Sequence, residues 1–182
     1  MTAPQVVILT GRSDPARTGL PPAQSAFLAA VTPPRATGLD DGFPWVGGPP
    51  EGHIRLPLAA WRNAVAWHAA RTGKAGPDVA GRLEMLGDRP RAIITGSCGL
   101  DLLVSGWRPG RCKVVIALGP VTRRRPRLPG VAVTTIIGRW DGLSRLVHRD
   151  APDVWVPGGH MGYWTCPKTR NAVVQILGRW VP

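Results

Sequence analysis

"RAIITGSCGLDLL", Arg91 to Leu103, is the stretch on which the reading of this chain turns. An apolar run ends at Thr95-Gly96, two nucleophiles follow side by side at Ser97 and Cys98, and Gly99 opens a run with helical spacing. Such a passage from strand to helix is either a plain turn with a serine as helix cap or a strained elbow that lifts a nucleophile above a sheet. The tightness of an elbow demands small residues two before and two after the nucleophile. Around Ser97 these are Thr95 and Gly99; around Cys98 they are Gly96 and Leu100, and leucine crowds the turn. Sterics therefore favour Ser97. Cys98 then reads as a small buried residue whose backbone N–H, at the helix start, stands where an oxyanion donor is wanted.

Outward from this stretch, strands and helices alternate. "QVVILTG" (Gln5 to Gly11) reads as a buried strand, as do Ala92 to Thr95, Lys113 to Leu118 and Val131 to Ile137, with a short strand in "DVWVPGGH". Helices are expected in "AQSAFLAAV", in "LPLAAWRNAVAWHAARTG" with Leu58, Trp61, Val65 and His68 along one face, and in "GPDVAGRLEMLGD". Further helices are expected after Ser97, in "DGLSRLV", and in "CPKTRNAVVQILGRW" with Val173, Val174 and Leu177 inward. The proline- and glycine-rich segment between Thr32 and Gly52 reads as loop, with a short strand near Leu39 to Trp45. This alternation predicts a three-layer α/β/α sandwich with a mostly parallel central sheet, in one domain spanning 1–182.

In such sheets chemistry gathers at the carboxyl ends of the strands. Polar residues stand just beyond apolar runs at four places: Gly11 to Asp14, Ser97 and Cys98, Asp141 after "TTIIGRW", and His160 after "VWVPGG". Serine needs a base to take its proton, and His160 is the candidate. A carboxylate must fix the imidazole tautomer and stabilise the imidazolium. Asp141 is the best placed, although a cap for "GLSRLV" would also be an aspartate; Asp101, Asp150 and Asp153 compete. The second oxyanion donor is expected from the backbone N–H of Gly11 or Arg12, after the first strand. Trp140 and Trp164 flank the acid and the base, and with Tyr163 they are candidate walls of a substrate pocket. The eight tryptophans, Trp140 and Trp164 among them, otherwise read mostly as core or sheet-face packing, and His53, His68 and His148 as structural or exposed.

The ordered set resembles a small, reduced and nearly lidless α/β-hydrolase. "TGSCG" resembles the G-x-S-x-G elbow, "IIGRWDGLS" the acid-bearing turn, "VPGGHMGYW" the histidine turn and "VVILTGR" the strand before the oxyanion loop. The resemblance implies a serine esterase or thioesterase type of enzyme that works through an acyl-serine intermediate, with no metal and no cofactor. The chain departs from the pattern in placing Thr95 where the first elbow glycine stands. By this pattern it is expected to lack the family's first two strands and a large lid, and its Asp141-to-His160 spacing is short. "PVTRRRPRLPG", between two predicted parallel strands, carries no helix signal.

Composition bounds the rest. With 43% hydrophobic residues the chain can bury a core. No apolar run approaches the roughly 18 residues of a membrane span, and the N-terminal stretch lacks the features of a signal peptide. A cytoplasmic protein with no membrane partner is expected. Cys98, Cys112 and Cys166 suit neither a disulfide framework nor zinc spacing. The net charge of +12 attracts anionic partners, and Arg123 to Arg127 form its densest cluster, a solvated loop or a docking patch for an acidic partner. The charge slightly favours an acyl substrate with an anionic handle, such as a coenzyme A or carrier-bound thioester. Two rivals remain at this level: a non-catalytic hydrolase-like binding protein, and a nucleic-acid-binding protein, against which stands the lack of any accompanying signature motif.

Overall fold

Each apolar run becomes a strand, and all the pairings are parallel. The computed structural model describes residues 3–11, 19–40, 55–87, 89 and 91–180. Among them the strands are β1 (Gln5–Leu9), β2 (Thr37–Leu39), β3 (Arg91–Gly96), β4 (Val114–Leu118), β5 (Ala132–Gly138) and β6 (Val154–Val156). They form one sheet in the order β2-β1-β3-β4-β5-β6. Registers such as Ile8 with Ile94 and Ile94 with Ile116 align the three central strands along their length. The central strands are buried on both faces, which is why their sequences are continuous rather than alternating runs.

The helices are α1 (Pro22–Val31), α2 (Leu56–Arg71), α3 (Gly76–Met85), α4 (Gly99–Ser105), α5 (Gly142–Val147) and α6 (Pro167–Trp180). Proline at the first turn of α1, α2 and α3 starts each helix where its missing N–H costs nothing. On one sheet face Val6, Ile8, Ile94 and Ile116 pack against Phe27, Leu28 and Val31 of α1 and Val173 and Leu177 of α6. On the other, Val7, Leu9, Ile93 and Val115 pack against Val79 and Leu83 of α3 and Leu100 and Leu103 of α4. Each such fully buried aliphatic side chain contributes about 1.5–3 kcal/mol. The result is the expected three-layer sandwich. No helix of the described residues is long and apolar enough to cross a membrane.

Several expectations need correction. The face of α2 read as inward is outward: Leu58, Trp61 and Val65 are exposed. α2 instead turns Ala59, Asn63, Ala66, Trp67 and Ala70 inward and packs on α4. The alanines among them allow that close approach, and Leu58, Trp61 and Val65 are left outside. Val174 of α6 is exposed for a related reason, since Val173 and Leu177 already fill the stripe that faces the sheet. Trp61, Trp140 and Trp155 are exposed rather than core. The strand expected near Leu39 ends at Leu39, and residues 41–45, Arg12 and His53 lie outside the described residues.

The connection from β4 to β5 crosses without a helix. From Gly119 to Val131 the chain runs over the sheet in irregular conformation and buries Val121 and Leu128 in the layer of α3 and α4. It is pinned where a helix would otherwise cover the sheet. The Arg125 guanidinium pairs with Asp153 at 2.9 Å, and the Arg125 N–H donates to Asp150 at 2.7 Å. The buried His148 donates from Nδ1 to the Thr122 carbonyl at 2.7 Å.

Candidate active site

The chain leaves β1 toward β2 on one side and returns to β3 on the other, so the winding reverses between β1 and β3. A crevice opens outside the carboxyl ends of two strands at such a reversal. Gly11 follows β1 there, and Ser97 follows β3. A Cβ built on Gly11 would come within 2.6 Å of the Cys98 sulfur and would collide with the Asn63 side chain. The backbone after β1, the start of α4 and Asn63 of α2 therefore meet in one place.

Ser97 has φ of +52°, alone in the positive range among the described non-glycine residues. L-residues enter that region at a cost of about 1–2 kcal/mol. The strain is held by the Ser97 N–H, which donates to the Leu118 carbonyl at 3.1 Å, and by its carbonyl, which accepts from the Val121 N–H at 3.3 Å. The small-residue demand is met in an unequal way. A Cβ on Gly99 would collide with the Leu9 carbonyl and lie 3.2 Å from the Thr95 Cβ. Thr95 and Gly99 thus face each other, and the missing side chain of Gly99 makes room for threonine at the position where the elbow pattern has its first glycine.

Ser97, His160 and Asp141 are brought into one hydrogen-bonded line. His160 Nε2 lies 3.0 Å from Ser97 Oγ, and His160 Nδ1 lies 3.1 and 3.0 Å from the two Asp141 carboxylate oxygens. Asp141 is fully buried, and it caps α5 by accepting the Ser144 N–H at 2.9 Å. The cap and the histidine partner are the same carboxylate, so the two readings of Asp141 are not exclusive. Burial pushes the carboxyl up, but the hydrogen bonds from His160, the Ser144 N–H and Tyr163 outweigh it and hold Asp141 well below the usual carboxylate range. The competing acids are elsewhere. Asp150 and Asp153 hold Arg125, and Asp101 accepts from Thr122 Oγ1 at 2.9 Å, its carboxyl pushed up by burial.

Cys98 is 2% exposed, and burial, followed by the nearby Asp101 carboxylate, pushes its thiol up to about 12. A neutral buried thiol is a poor nucleophile. The Cys98 backbone forms the N-cap of α4, where helix N–H groups lack intrahelical partners. Among the described residues no group of three His, Cys, Asp or Glu side chains gathers as a metal site.

The proposed pocket walls have separate places. Tyr163 turns toward Asp141. It is buried, donates its hydroxyl to Asp141 Oδ2 at 2.6 Å, and accepts the Gly138 N–H at 2.7 Å. Burial, and then the Asp141 carboxylate, drives the phenol well above its ordinary range, so it stays a donor. Trp164 packs edge-on against Phe27 at 5.4 Å, and a Cβ on Gly96 would come within 2.7 Å of its ring, so it supports the elbow strand from the α1 and α6 face. Trp140 stands in solvent at 79% exposure on the turn before Asp141.

Sequence reasoning missed three contributors. Ser144 Oγ lies 3.3 Å from His160 Nδ1. Gly119, with φ of +53°, leaves room that a Cβ would fill 2.8 Å from Asp141 Oδ2 and against the Tyr163 ring. Asn63 was hidden because the inward face of α2 was misassigned. A glycine closing "VVIALG" beside an expected acid turn was the one available signal.

No protein-family model matches the chain, and no curated relative does. Among solved structures it is similar to a carboxylesterase from Mesorhizobium loti, with a TM-score of 0.49 and 17% identity over 98% of this chain and 90% of that one. It is also similar to TT1662 from Thermus thermophilus, with a TM-score of 0.45 and 17% identity over 97% of this chain and 88% of that one. By its own strand order, its winding reversal and the strained serine turn after β3, the fold of this chain is α/β-hydrolase-like.

Proposed function

We propose that the protein is a serine hydrolase that cleaves a carboxylic ester or thioester through an acyl-Ser97 intermediate. The observation that carries this reading is the His160 ring, spanned between Ser97 Oγ and the buried Asp141 carboxylate at hydrogen-bond distance on both sides. In the proposed reaction His160 Nε2 takes the Ser97 proton as Oγ attacks the acyl carbonyl. Asp141 keeps the other proton on Nδ1 and stabilises the imidazolium without itself accepting the proton. The backbone N–H groups of Cys98 and of Gly11 or Arg12 hold the developing oxyanion, each donor being worth about 10²–10³ in rate. The imidazolium then returns its proton to the leaving alcohol or thiol. Water, deprotonated by the same histidine, attacks the acyl-serine and releases the acid and free Ser97. The chain's charge of +12 supports an acyl substrate with an anionic handle, such as a carrier-bound thioester.

The test is turnover of a short-chain p-nitrophenyl ester and of an acyl thioester by the purified protein. Hydrolysis of at least one, abolished in Ser97→Ala and His160→Ala, is expected. Equal rates for the wild type and Ser97→Ala would contradict the reading.

A further inference from the structure

Four large apolar side chains stand in water next to the candidate site. Trp140 is 79% exposed, Leu146 83%, Met161 77% and Leu143 48%. Single exposed apolar residues are ordinary on a protein surface; these four are not scattered. Leu143 and Leu146, three residues apart in α5, share its outward side, and Trp140 stands on the turn just before the Asp141 cap. Met161 follows His160, and its turn is clasped to that of Trp140 by the Trp140 N–H, which donates to the Gly158 carbonyl at 3.1 Å. Both turns leave the carboxyl end of the sheet, the end at which Ser97 stands.

The same surface is basic. Arg139 and Arg145 are exposed between the apolar residues and clasped to each other, with Arg145 Nη1 donating to the Arg139 carbonyl at 2.9 Å. Arg149 follows α5, and its N–H donates to the Arg123 carbonyl at 2.9 Å, which brings the arginine-rich crossover alongside. The acids nearby are engaged: Asp141 is buried, and Asp150 and Asp153 hold Arg125.

We propose that this face docks the open end of the site on an anionic lipid surface. Three of the four apolar side chains have more than three quarters of their area in water, so they are projections and not the walls of a groove. A protein partner would have to offer a matching hole for each across about 800 Å². A fluid acyl layer needs no matching shape and accepts each projection in turn. Tryptophan suits the boundary between headgroups and acyl chains, and interleaved arginines suit anionic headgroups, each being worth roughly a fivefold change in partitioning. The expectation of no membrane partner rested on the lack of a spanning run, which a surface contact does not require.

The experiment is co-sedimentation with vesicles of phosphatidylcholine alone and of phosphatidylcholine with phosphatidylglycerol. Binding to the anionic vesicles only is expected, with quenching of tryptophan emission when the acyl chains are brominated. The pair Trp140→Ser with Leu146→Ser should weaken binding at least about tenfold, and the pair Arg145→Gln with Arg149→Gln about 25-fold. All these positions are exposed, and circular dichroism checks that the variants fold. Three results would overturn the proposal: no binding to anionic vesicles, no quenching in the wild type, or binding that the tryptophan and leucine changes leave intact. Capture by immobilised polyglutamate as tight as by vesicles would point to an acidic protein and also overturn it. Ser97→Ala should bind vesicles as the wild type does, so this surface and the hydrolase reading stand or fall separately.

Discussion

Asp141 holds three donors at once, from His160, from the Ser144 N–H and from Tyr163. Its carboxyl is therefore ionised in the folded protein far below the ordinary value of roughly 3.9. A depressed folded value adds stability above that ordinary value, and the stability is lost as pH falls through the folded value. Asp141→Asn should flatten the acid side of the melting-temperature profile below about pH 4 and lower kcat by about 10⁴ through the wrong tautomer at His160. Thermal melts from neutral pH to strong acid, with an ester assay, check both. Tyr163 touches Asp141, so its expected role is to position that carboxylate. Tyr163→Phe removes a hydrogen bond to a charge, worth about 1.5–3 kcal/mol, and leaves the Gly138 N–H without its acceptor. A 10- to 100-fold loss in kcat at nearly constant KM is expected, in line with that energy; unchanged kcat would remove Tyr163 from the positioning of Asp141. The cysteines give a further check. Iodoacetamide at about pH 8 should leave Cys98 and Cys112 intact, both pushed up to about 12 chiefly by burial. It should alkylate Cys166, where N–H groups at the start of α6 outweigh the effect of burial and lower the thiol.

At the scale of the element, the strained turn joins sequence to site. Ser97 is held at φ +52° by β4 on one side and the crossover on the other. Glycine tolerates that conformation and alanine does not, so Ser97→Gly should be about 1 kcal/mol more stable than Ser97→Ala, with both inactive. Denaturant unfolding of the two variants measures the difference, and equal stabilities would mean that the turn is not strained. The strands were legible because β-branched runs ending in glycine have few alternatives. The elbow was legible because its steric rule concerns residues two places away in sequence, Thr95 and Gly99. α2 was not legible in the same way. Its spacing offered one face of Leu58, Trp61 and Val65 and another of alanines, and periodicity alone favours the bulkier one. Close packing on α4 selected the alanines, and with them Asn63. The crossover after β4 could be read as lacking a helix, but not how it would be held. Its anchors, Asp150, Asp153 and His148, are close to it only in space.

At the scale of the molecule, a sheet that reverses its winding between β1 and β3 sets Gly11 and Ser97 at its carboxyl end, while the turns after β5 and β6 bring Asp141 and His160 to the same end. The chain order Ser, Asp, His made that convergence readable, because residues after successive parallel strands must meet at one end of the sheet. Tyr163 was not readable in its role: three residues after His160, it resembled a pocket wall, and only the return of that turn beneath Asp141 gives it another. The central claim is that this convergence makes Ser97 a nucleophile. Fluorophosphonate labelling followed by peptide mapping tests it most directly. One label on the peptide containing Ser97, absent in Ser97→Ala and lost in His160→Ala, is the predicted result; a folded protein that takes no label, or takes it on another residue, would contradict the account.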